Sequence, residues 1–222
     1  MKNKNNILFL EALIMALFIF GLGILLGVFI EDARMTNIQD KYLSSRTNLL
    51  DVQTLSDIIK DSEFSCEYSI KKNMEFGNKI YEDSLLLAKY EDSRSLKNNL
   101  LEQHRIYDLL RTIFWVNSME LKERCPEFHT LVYLYNYDEQ DNSEKQKQEV
   151  FSRFAGELMS ETEGNLVLIP LAINLEIASL EILKEKYGLE GTRLLFDEKI
   201  HVTEVGLLEE FEEKVLSEMR GQ

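Results

Sequence analysis

Two cysteines carry the most distinctive chemistry that this sequence offers. Cys66 and Cys125 are the only cysteines among 222 residues, which excludes a disulfide-rich scaffold and a four-cysteine zinc site. Their separation also differs from Cys-x-x-Cys, the spacing at which one thiol attacks a disulfide and the second resolves the mixed intermediate. Such a pair can form one structural disulfide, and the alternative is two unrelated buried thiols. A redox role for the pair stays open, although neither residue occupies a Cys-x-x-Cys position.

The other chemically capable residues form no site pattern. His104, His129 and His201 lack a metal-ligand spacing such as His-x-x-x-His, which favours surface or strand positions over a metal site. The only Gly-x-Gly lies inside an apolar run and is therefore not a phosphate-binding loop. The sequence thus predicts neither a metal nor a cofactor. Its 39 acidic residues against 25 basic ones also disfavour a nucleic-acid-binding surface.

An apolar run near the N-terminus predicts a membrane anchor. Residues 12–30 contain no charged or strongly polar side chain, and with residues 7–10 the run is long enough for a helix to cross a hydrocarbon core of roughly 30 Å. It is longer than a typical signal-peptide core, and no Ala-x-Ala cleavage pattern follows it. We therefore expect an uncleaved signal anchor at residues 7–30 of a single-pass cell-membrane protein. The alternative is a buried helix of a soluble protein.

The residues of the anchor and its flanks bear on orientation and pairing. A short tail at residues 1–6 favours a cytoplasmic N-terminus, with the bulk of the chain outside the cytosol, although basic residues also follow the span. Gly23 and Gly27 form a small-xxx-small pair of the kind that lets two membrane helices approach closely. A homodimer is one expectation from this pair, and the alternative is the general frequency of Gly in membrane helices.

Residues 31–126 predict a coiled-coil-like helical stalk. Thr36 and Gln39 form a capping-box pattern, which predicts a helix start. A second helix is expected from about residue 64 to residue 90, and a third after a turn at residues 91–93. Steps of four and three residues give three stripes: Ile38, Tyr42, Ser45, Leu49, Val52, Ser56 and Ile59; Ile70, Met74, Gly77, Tyr81 and Leu85; and Leu96, Leu100, Gln103, Tyr107, Leu110, Phe114, Asn117 and Leu121.

These helices predict an antiparallel hairpin or a three-helix unit. Cys66 starts the second helix and Cys125 ends the third. If the two helices are antiparallel, the cysteines meet, and a disulfide between them would stabilise the fold by about 2–4 kcal/mol.

The pattern changes after Pro126, and residues 127–222 predict a mixed α/β domain. The predicted strands are residues 128–137, 166–173, 192–196 and 200–205, the last two joined as a hairpin. A capping box at Ser143 and Gln146 opens the first helix of this domain, a second helix ends at Gly188, and a third follows Gly206. The predicted element order is β-α-β-α-β-β-α.

This order resembles the core of the thioredoxin-like family, and local sequence adds to the likeness. Residues 187–192, Tyr-Gly-Leu-Glu-Gly-Thr, are similar to the Tyr-Gly-Val-x-Gly-Thr approach to the family's third core strand, and residues 194–200 with Gly206 match the family's ending. Pro170 lies in the middle of the second predicted strand, and Pro is tolerated essentially only at a sheet edge. In the minimal form of this family the second core strand is an edge strand. The resemblance therefore implies a thioredoxin-like fold.

The resemblance also implies that the family's functional residues are missing. Its chemistry requires Cys-x-x-Cys after the first strand, where the N-terminus of a helix lowers the pKa of the attacking thiol. The matching loop consists of Asp138, Glu139, Gln140, Asp141, Asn142 and Ser143, and it has no cysteine. The cis-proline that the family places before its third strand is matched by Thr192 and Arg193. We therefore expect a domain without thiol-disulfide activity.

The function expected from these features is that of a membrane-anchored, non-enzymatic module that binds or assembles a protein partner outside the cytosol. Two alternatives stay open. The first is a protein of thiol-disulfide chemistry that uses Cys66 and Cys125. The second is a structural membrane subunit that oligomerises through its anchor and stalk. No residue of the sequence names the partner.

Overall fold

A computed structural model describes residues 2–60, 64–88, 97–162 and 164–221, which form two compact units divided between Leu43 and Ser44. The first unit consists of the N-terminal part of helix α1 (Lys2–Lys60). Within α1, the segment Phe9–Ala33 is long and apolar enough to cross a membrane. Its most apolar 18-residue window has a mean hydropathy of 2.9 and no buried residue. A signal sequence near an N-terminus would show the same length and composition.

Helix α1 is continuous where the sequence predicted a new helix start. The hydroxyl of Thr36 donates a hydrogen bond of 3.0 Å to the carbonyl of Asp32, one turn earlier, as a threonine inside a helix does. The predicted capping box is therefore wrong, because neither Gly nor Pro interrupts the preceding residues 31–35. The stripe predicted between Ile38 and Ile59 lies outside the residues whose side chains the structure describes.

Helices α2 (Cys66–Ala88) and α3 (Lys97–Arg124) form an antiparallel hairpin, one of the two arrangements that the sequence predicted. A disulfide joins Cys66, at the start of α2, to Cys125, directly after α3, across a Cα–Cα distance of 5.6 Å. The predicted pairing is therefore confirmed. The predicted turn at residues 91–93 lies outside the described residues.

The predicted stripe is confirmed at six of its eight positions on α3, where Asn117 is half-buried and Leu96 lies outside the described residues. On α2 it is confirmed at Ile70 and wrong at two other positions. On α3 the buried positions include Leu100, Gln103, Tyr107, Leu110, Phe114 and Leu121. On α2, Tyr81 and Leu85 are 57% and 48% exposed, whereas Phe76 and Ile80 are only 7% and 4% exposed. The ring of Phe76 packs against the ring of Phe114, with centroids 5.7 Å apart. This aromatic contact buries Phe76, which lies beside the predicted stripe.

The second unit contains a four-stranded sheet in the order β2-β1-β3-β4. The strands are β1 (His129–Tyr135), β2 (Leu166–Ala172), β3 (Arg193–Phe196) and β4 (Ile200–Val202). Strand β1 pairs in parallel with β2 and antiparallel with β3, which pairs antiparallel with β4. The remaining helices are α4 (Asn142–Glu161), α5 (Ala178–Tyr187) and α6 (Leu208–Arg220). The order β-α-β-α-β-β-α is the predicted one.

Strand β2 is an edge strand, as its proline predicted. The amide of Ile173 donates to the carbonyl of Tyr135 at 2.8 Å, so it points towards β1. Because successive peptide groups of a strand point to opposite sides, the groups of Leu168, Pro170 and Ala172 point away from β1. Pro170 therefore lacks its N–H at the free edge, where no ladder bond to β1 is lost.

Helices cover both faces of the sheet. One face packs against α4 and α6 in a cluster that includes Leu131, Phe151, Leu158, Phe196 and Phe211. Helix α3 packs against β1 and β2 and also contacts α5. The hairpin of α2 and α3 therefore shares one compact unit with the sheet, residues 44–222, which the sequence-based limit at residue 126 did not foresee.

Two helical glycines should respond in opposite directions to alanine. A Cβ at Gly77 would lie 2.9 Å from Cζ of the buried Phe114 ring, whereas a Cβ at Gly156 would meet no atom within 4 Å. We expect Gly77→Ala to lower the free energy of unfolding by about 1–3 kcal/mol through overpacking. The matched control Gly156→Ala should raise it by about 0.5–1 kcal/mol, because Gly is the poorer helix former. Urea unfolding of the full chain in detergent micelles measures both, and shifts of the same sign would contradict the packing at Gly77.

Candidate functional site

The loop between β1 and α4 contains the residues that the sequence matched to a missing active site. Helix α4 begins at Asn142, and its N-cap is Asp141, whose Oδ1 accepts from the backbone amides of Ser143 at 2.8 Å and Glu144 at 3.0 Å. The capping box predicted for Ser143 is therefore wrong. A carboxylate two residues earlier is the stronger acceptor near the positive end of a helix, so it takes the cap position.

A second carboxylate of the same loop binds the remaining nearby amides. Oε1 of Glu139 accepts from the backbone N–H groups of Gln140 at 2.8 Å and Asp141 at 3.0 Å, and its Oε2 accepts from the side chain of Asn136 at 2.8 Å. These hydrogen bonds, led by that from Asp141, hold the pKa of Glu139 below its ordinary value. Two carboxylates thus occupy four backbone amides, the groups that would stabilise an anionic thiolate in a redox-active loop.

The fold brings the loop and the residues before β3 together. Oγ1 of Thr192 donates to Oε2 of Glu144, in the first turn of α4, at 3.2 Å. The guanidinium of Arg193 donates to the carbonyls of Gly188 at 3.2 Å and Glu190 at 3.0 Å. Among the described residues there is no cis peptide bond. The two predicted positions are therefore neighbours, and together they present an acid and a hydroxyl.

The disulfide lies at the other end of β1 from this loop. Cys125 precedes the start of β1 and its carbonyl accepts from the amide of Phe128 at 3.0 Å, whereas the loop follows the end of β1. The seven extended residues of β1, which lie between the disulfide and the loop, span about 23 Å. The carboxylate of Glu127 lies near both sulfurs, but sulfurs bonded to each other are not thiolate ligands for a metal.

The glycines predicted to pack helices lie on the exposed surface of the apolar segment. A Cβ built at Gly23 or Gly27 would meet no atom within 4 Å. Pairing through these positions stays a prediction.

A buried cluster of charged side chains holds the β3–β4 turn in place. The sequence did not predict this cluster. Oδ2 of Asp197 lies 2.7 Å from both Nζ of Lys122 and Nδ1 of His129, and its Oδ1 accepts from the backbone N–H of Thr130 at 2.9 Å. Burial alone raises the pKa of Asp197, but the hydrogen bonds from His129, Lys122 and Thr130 together hold it below its ordinary value of 3.8. The only sequence signal was the turn itself, because nothing local links it to Lys122.

The next residue of the turn extends this cluster to α3. Oε1 of Glu198 accepts from Nε1 of Trp115 at 2.6 Å and from Oγ1 of Thr130 at 3.0 Å. Burial raises the pKa of Glu198, while the bonds from Trp115 and Thr130 act in the opposite direction. Asp197 and Glu198 both have positive φ angles, 47° and 58°, so these contacts hold a turn that the backbone by itself disfavours.

A groove of about 1210 Å³ follows the free edge of β2. Four consecutive residues of this strand, Val167–Pro170, line it together with α2, α4 and the end of β1. Because successive side chains of a strand point to opposite faces, a groove lined by four in a row must lie at the edge of the sheet. Burial raises the pKa of Tyr133, so its hydroxyl stays neutral. This hydroxyl donates to the carbonyl of Gln148 at 2.8 Å and so joins β1 to α4 beside the groove.

Comparison of the chain with models of protein families, with curated protein sequences and with solved structures found no match to any of the three. The fold and the geometry of its sites therefore carry the functional interpretation.

Proposed function

We propose that this chain is a membrane-anchored thioredoxin-like protein that has no thiol-disulfide activity and binds or assembles a protein partner. The finer fold assignment is supported by the element order, by the sheet order β2-β1-β3-β4 and by the edge position of Pro170. The observation that carries the proposal is the loop before α4, where the carboxylates of Glu139 and Asp141 occupy the amides that a thiolate would need.

The orientation of the chain is part of the same proposal. The segment Phe9–Ala33 would act as an uncleaved signal anchor, with the sheet-containing unit outside the cytosol. The disulfide between Cys66 and Cys125 supports a location of this unit outside the cytosol, because such bonds persist in oxidising compartments and are rare in the cytosol.

Absence of redox activity can be tested with the full chain in detergent micelles. In an insulin-reduction assay with dithiothreitol, we expect turnover no faster than the background without protein, while thioredoxin gives the positive control. Turnover that disappears in the variant Cys66→Ser/Cys125→Ser would overturn the proposal and favour redox chemistry of this pair. That variant has no cysteine left, so it serves as the negative control and should not exceed the background.

Partner binding needs a separate measurement. Crosslinking of the full chain in its own membranes should give a discrete product with a different protein. A product that contains only copies of this chain would favour a structural, oligomerising subunit instead.

A further inference from the structure

The free edge of β2 offers unpaired backbone groups to an incoming chain. The N–H and C=O of Leu168 and the C=O of Pro170 point away from β1, by the alternation that Ile173 establishes. The next outward N–H is that of Ala172, the last residue of β2. The stretch open for strand pairing therefore centres on Leu168 and ends near Ala172.

The walls of the groove leave room beside this edge. Helix α4 lines it with residues spaced three and four apart, which lie on one face of the helix. Gly156 is part of this face and is exposed, and a Cβ built there would meet no atom within 4 Å. The groove is therefore wider at this position of α4. On the other side stands α2, with Met74, Gly77 and Tyr81. An added strand would lie about 4.8 Å from β2, between these two walls.

The charged side chains that line the groove indicate which kind of molecule it can bind. They are three basic and three acidic side chains: Arg111, Lys145, Arg153, Asp138, Glu139 and Glu149. Arg111 is already paired with the buried Asp108 at 3.0 Å. The other five side chains give the groove a formal charge of only -1, whereas the whole chain carries -14. A polyanion such as a nucleic acid finds no net positive charge in this groove. Charge complementarity instead favours a segment without net charge.

We propose that the groove binds an extended, uncharged segment of a partner protein, which pairs with the free edge of β2 as a fifth strand. This inference rests on the proposed binding function and names the surface that performs it. Backbone hydrogen bonds to Leu168 and Pro170 supply the pairing, and alternate side chains of the segment contact Met74 and Tyr81 of α2 and Met159 of α4. The other edge strand, β4, has only three residues and is a poorer template.

The test uses the full chain in lipid nanodiscs and a phage-displayed library of random peptides roughly ten residues long. We expect enrichment of apolar peptides with high strand propensity. Gly156→Trp fills the groove and should weaken their binding by about tenfold or more. Glu157→Trp adds the same side chain at an exposed position of α4 that does not line the groove, and it should leave binding unchanged.

Two further measurements separate strand pairing from a simple apolar contact. Bound peptide should slow hydrogen exchange at the amide of Leu168, which points away from β1, and leave that of Ile169 unchanged, because the amide of Ile169 points towards β1 inside the sheet. N-methylation of alternate peptide amides should abolish binding in one register and spare it in the other.

Three outcomes would overturn the inference: no enriched peptide, equal binding to Gly156→Trp, or a dimer of the chain that this variant abolishes, which would assign the groove to a second copy. The proposed function fails separately. If a partner crosslinked in membranes binds wild type and Gly156→Trp equally, binding stands and only the groove is wrong. Turnover of insulin would instead refute the redox-inactive module and leave the peptide result intact.

Discussion

Replacing both cysteines with serine should lower the free energy of unfolding by about 4 kcal/mol. The bond between Cys66 and Cys125 closes a loop with a sequence separation of 59 residues. In the chain-entropy relation, the stabilisation grows with the logarithm of loop length, and a loop of this size gives about 4 kcal/mol at 25 °C. The loop contains α2 and α3, so both helices are constrained by one bond at the base of the hairpin.

Urea unfolding of the full chain in detergent micelles measures this effect. Wild type with dithiothreitol should match Cys66→Ser/Cys125→Ser, since both lack the bond, and the variant should not respond to the reductant. Equal midpoints for oxidised wild type and the variant would contradict a stabilising disulfide. Alkylation of intact cells before lysis tests whether the two cysteines are bonded in the native protein. Two free thiols would also contradict the proposed orientation, because disulfides persist outside the cytosol.

Substituting Asn for Asp197 should lower the free energy of unfolding by about 3 kcal/mol, at the lower end of the cost of removing one partner of a buried ion pair. Asn keeps the size of the side chain and tolerates the positive φ of this position, so the backbone of the turn is not the cause. What is lost is the charge that faces Lys122 and His129, both at 2.7 Å.

A double-mutant cycle isolates this interaction. Lys122→Met removes the opposing charge, and Asp197→Asn/Lys122→Met should cost less than the sum of the single variants, because no uncompensated lysine remains. Strict additivity would show that the pair contributes nothing. Glu157→Gln, on the exposed surface of α4, serves as a control with little expected effect.

The effect of Asp197→Asn should depend on pH with a defined sign. The pKa of Asp197 is lowered in the fold, so the unfolded chain binds more protons between the folded pKa and the ordinary value of 3.8. The stabilisation is therefore fully present above 3.8 and is lost as pH falls through the folded pKa. Unfolding measured at several pH values should show the difference between wild type and variant shrink in acid. A difference that grows in acid would contradict the lowered pKa.

Several features could be predicted because they depend on residues close together in the sequence. Leu166–Ala172 is a continuous apolar run, as a strand covered on both faces requires, and Gly188 ends α5 in the left-handed conformation, with φ 61°. Pro170 predicted an edge strand, because proline lacks the donor that an inner strand needs. With only two cysteines, a single pairing was available.

The failed predictions share a cause. The patterns at Thr36 and Ser143 both match a capping box, but one lies inside a continuous helix and the other follows a better acceptor, Asp141. A capping pattern shows that a side chain can accept a hydrogen bond from the first amides of a helix. The neighbouring residues decide whether the helix begins there. The stripe on α2 failed at Tyr81 and Leu85 for a similar reason, because the ring of Phe114 on another helix packs against Phe76 instead.

The sequence by itself determined the apolar N-terminal segment and the lack of a thiol in the loop before α4, since residue identity alone settles these. It also limited the cysteines to one possible partner each, but only the hairpin of α2 and α3 decided that they bond. The tertiary structure alone decided that α3 covers the sheet, that His129 meets Asp197 across 68 residues, and that a groove follows the free edge of β2. The physical reason is that burial of apolar surface has no direction. A stripe shows that a helix is buried but does not show against which element it packs.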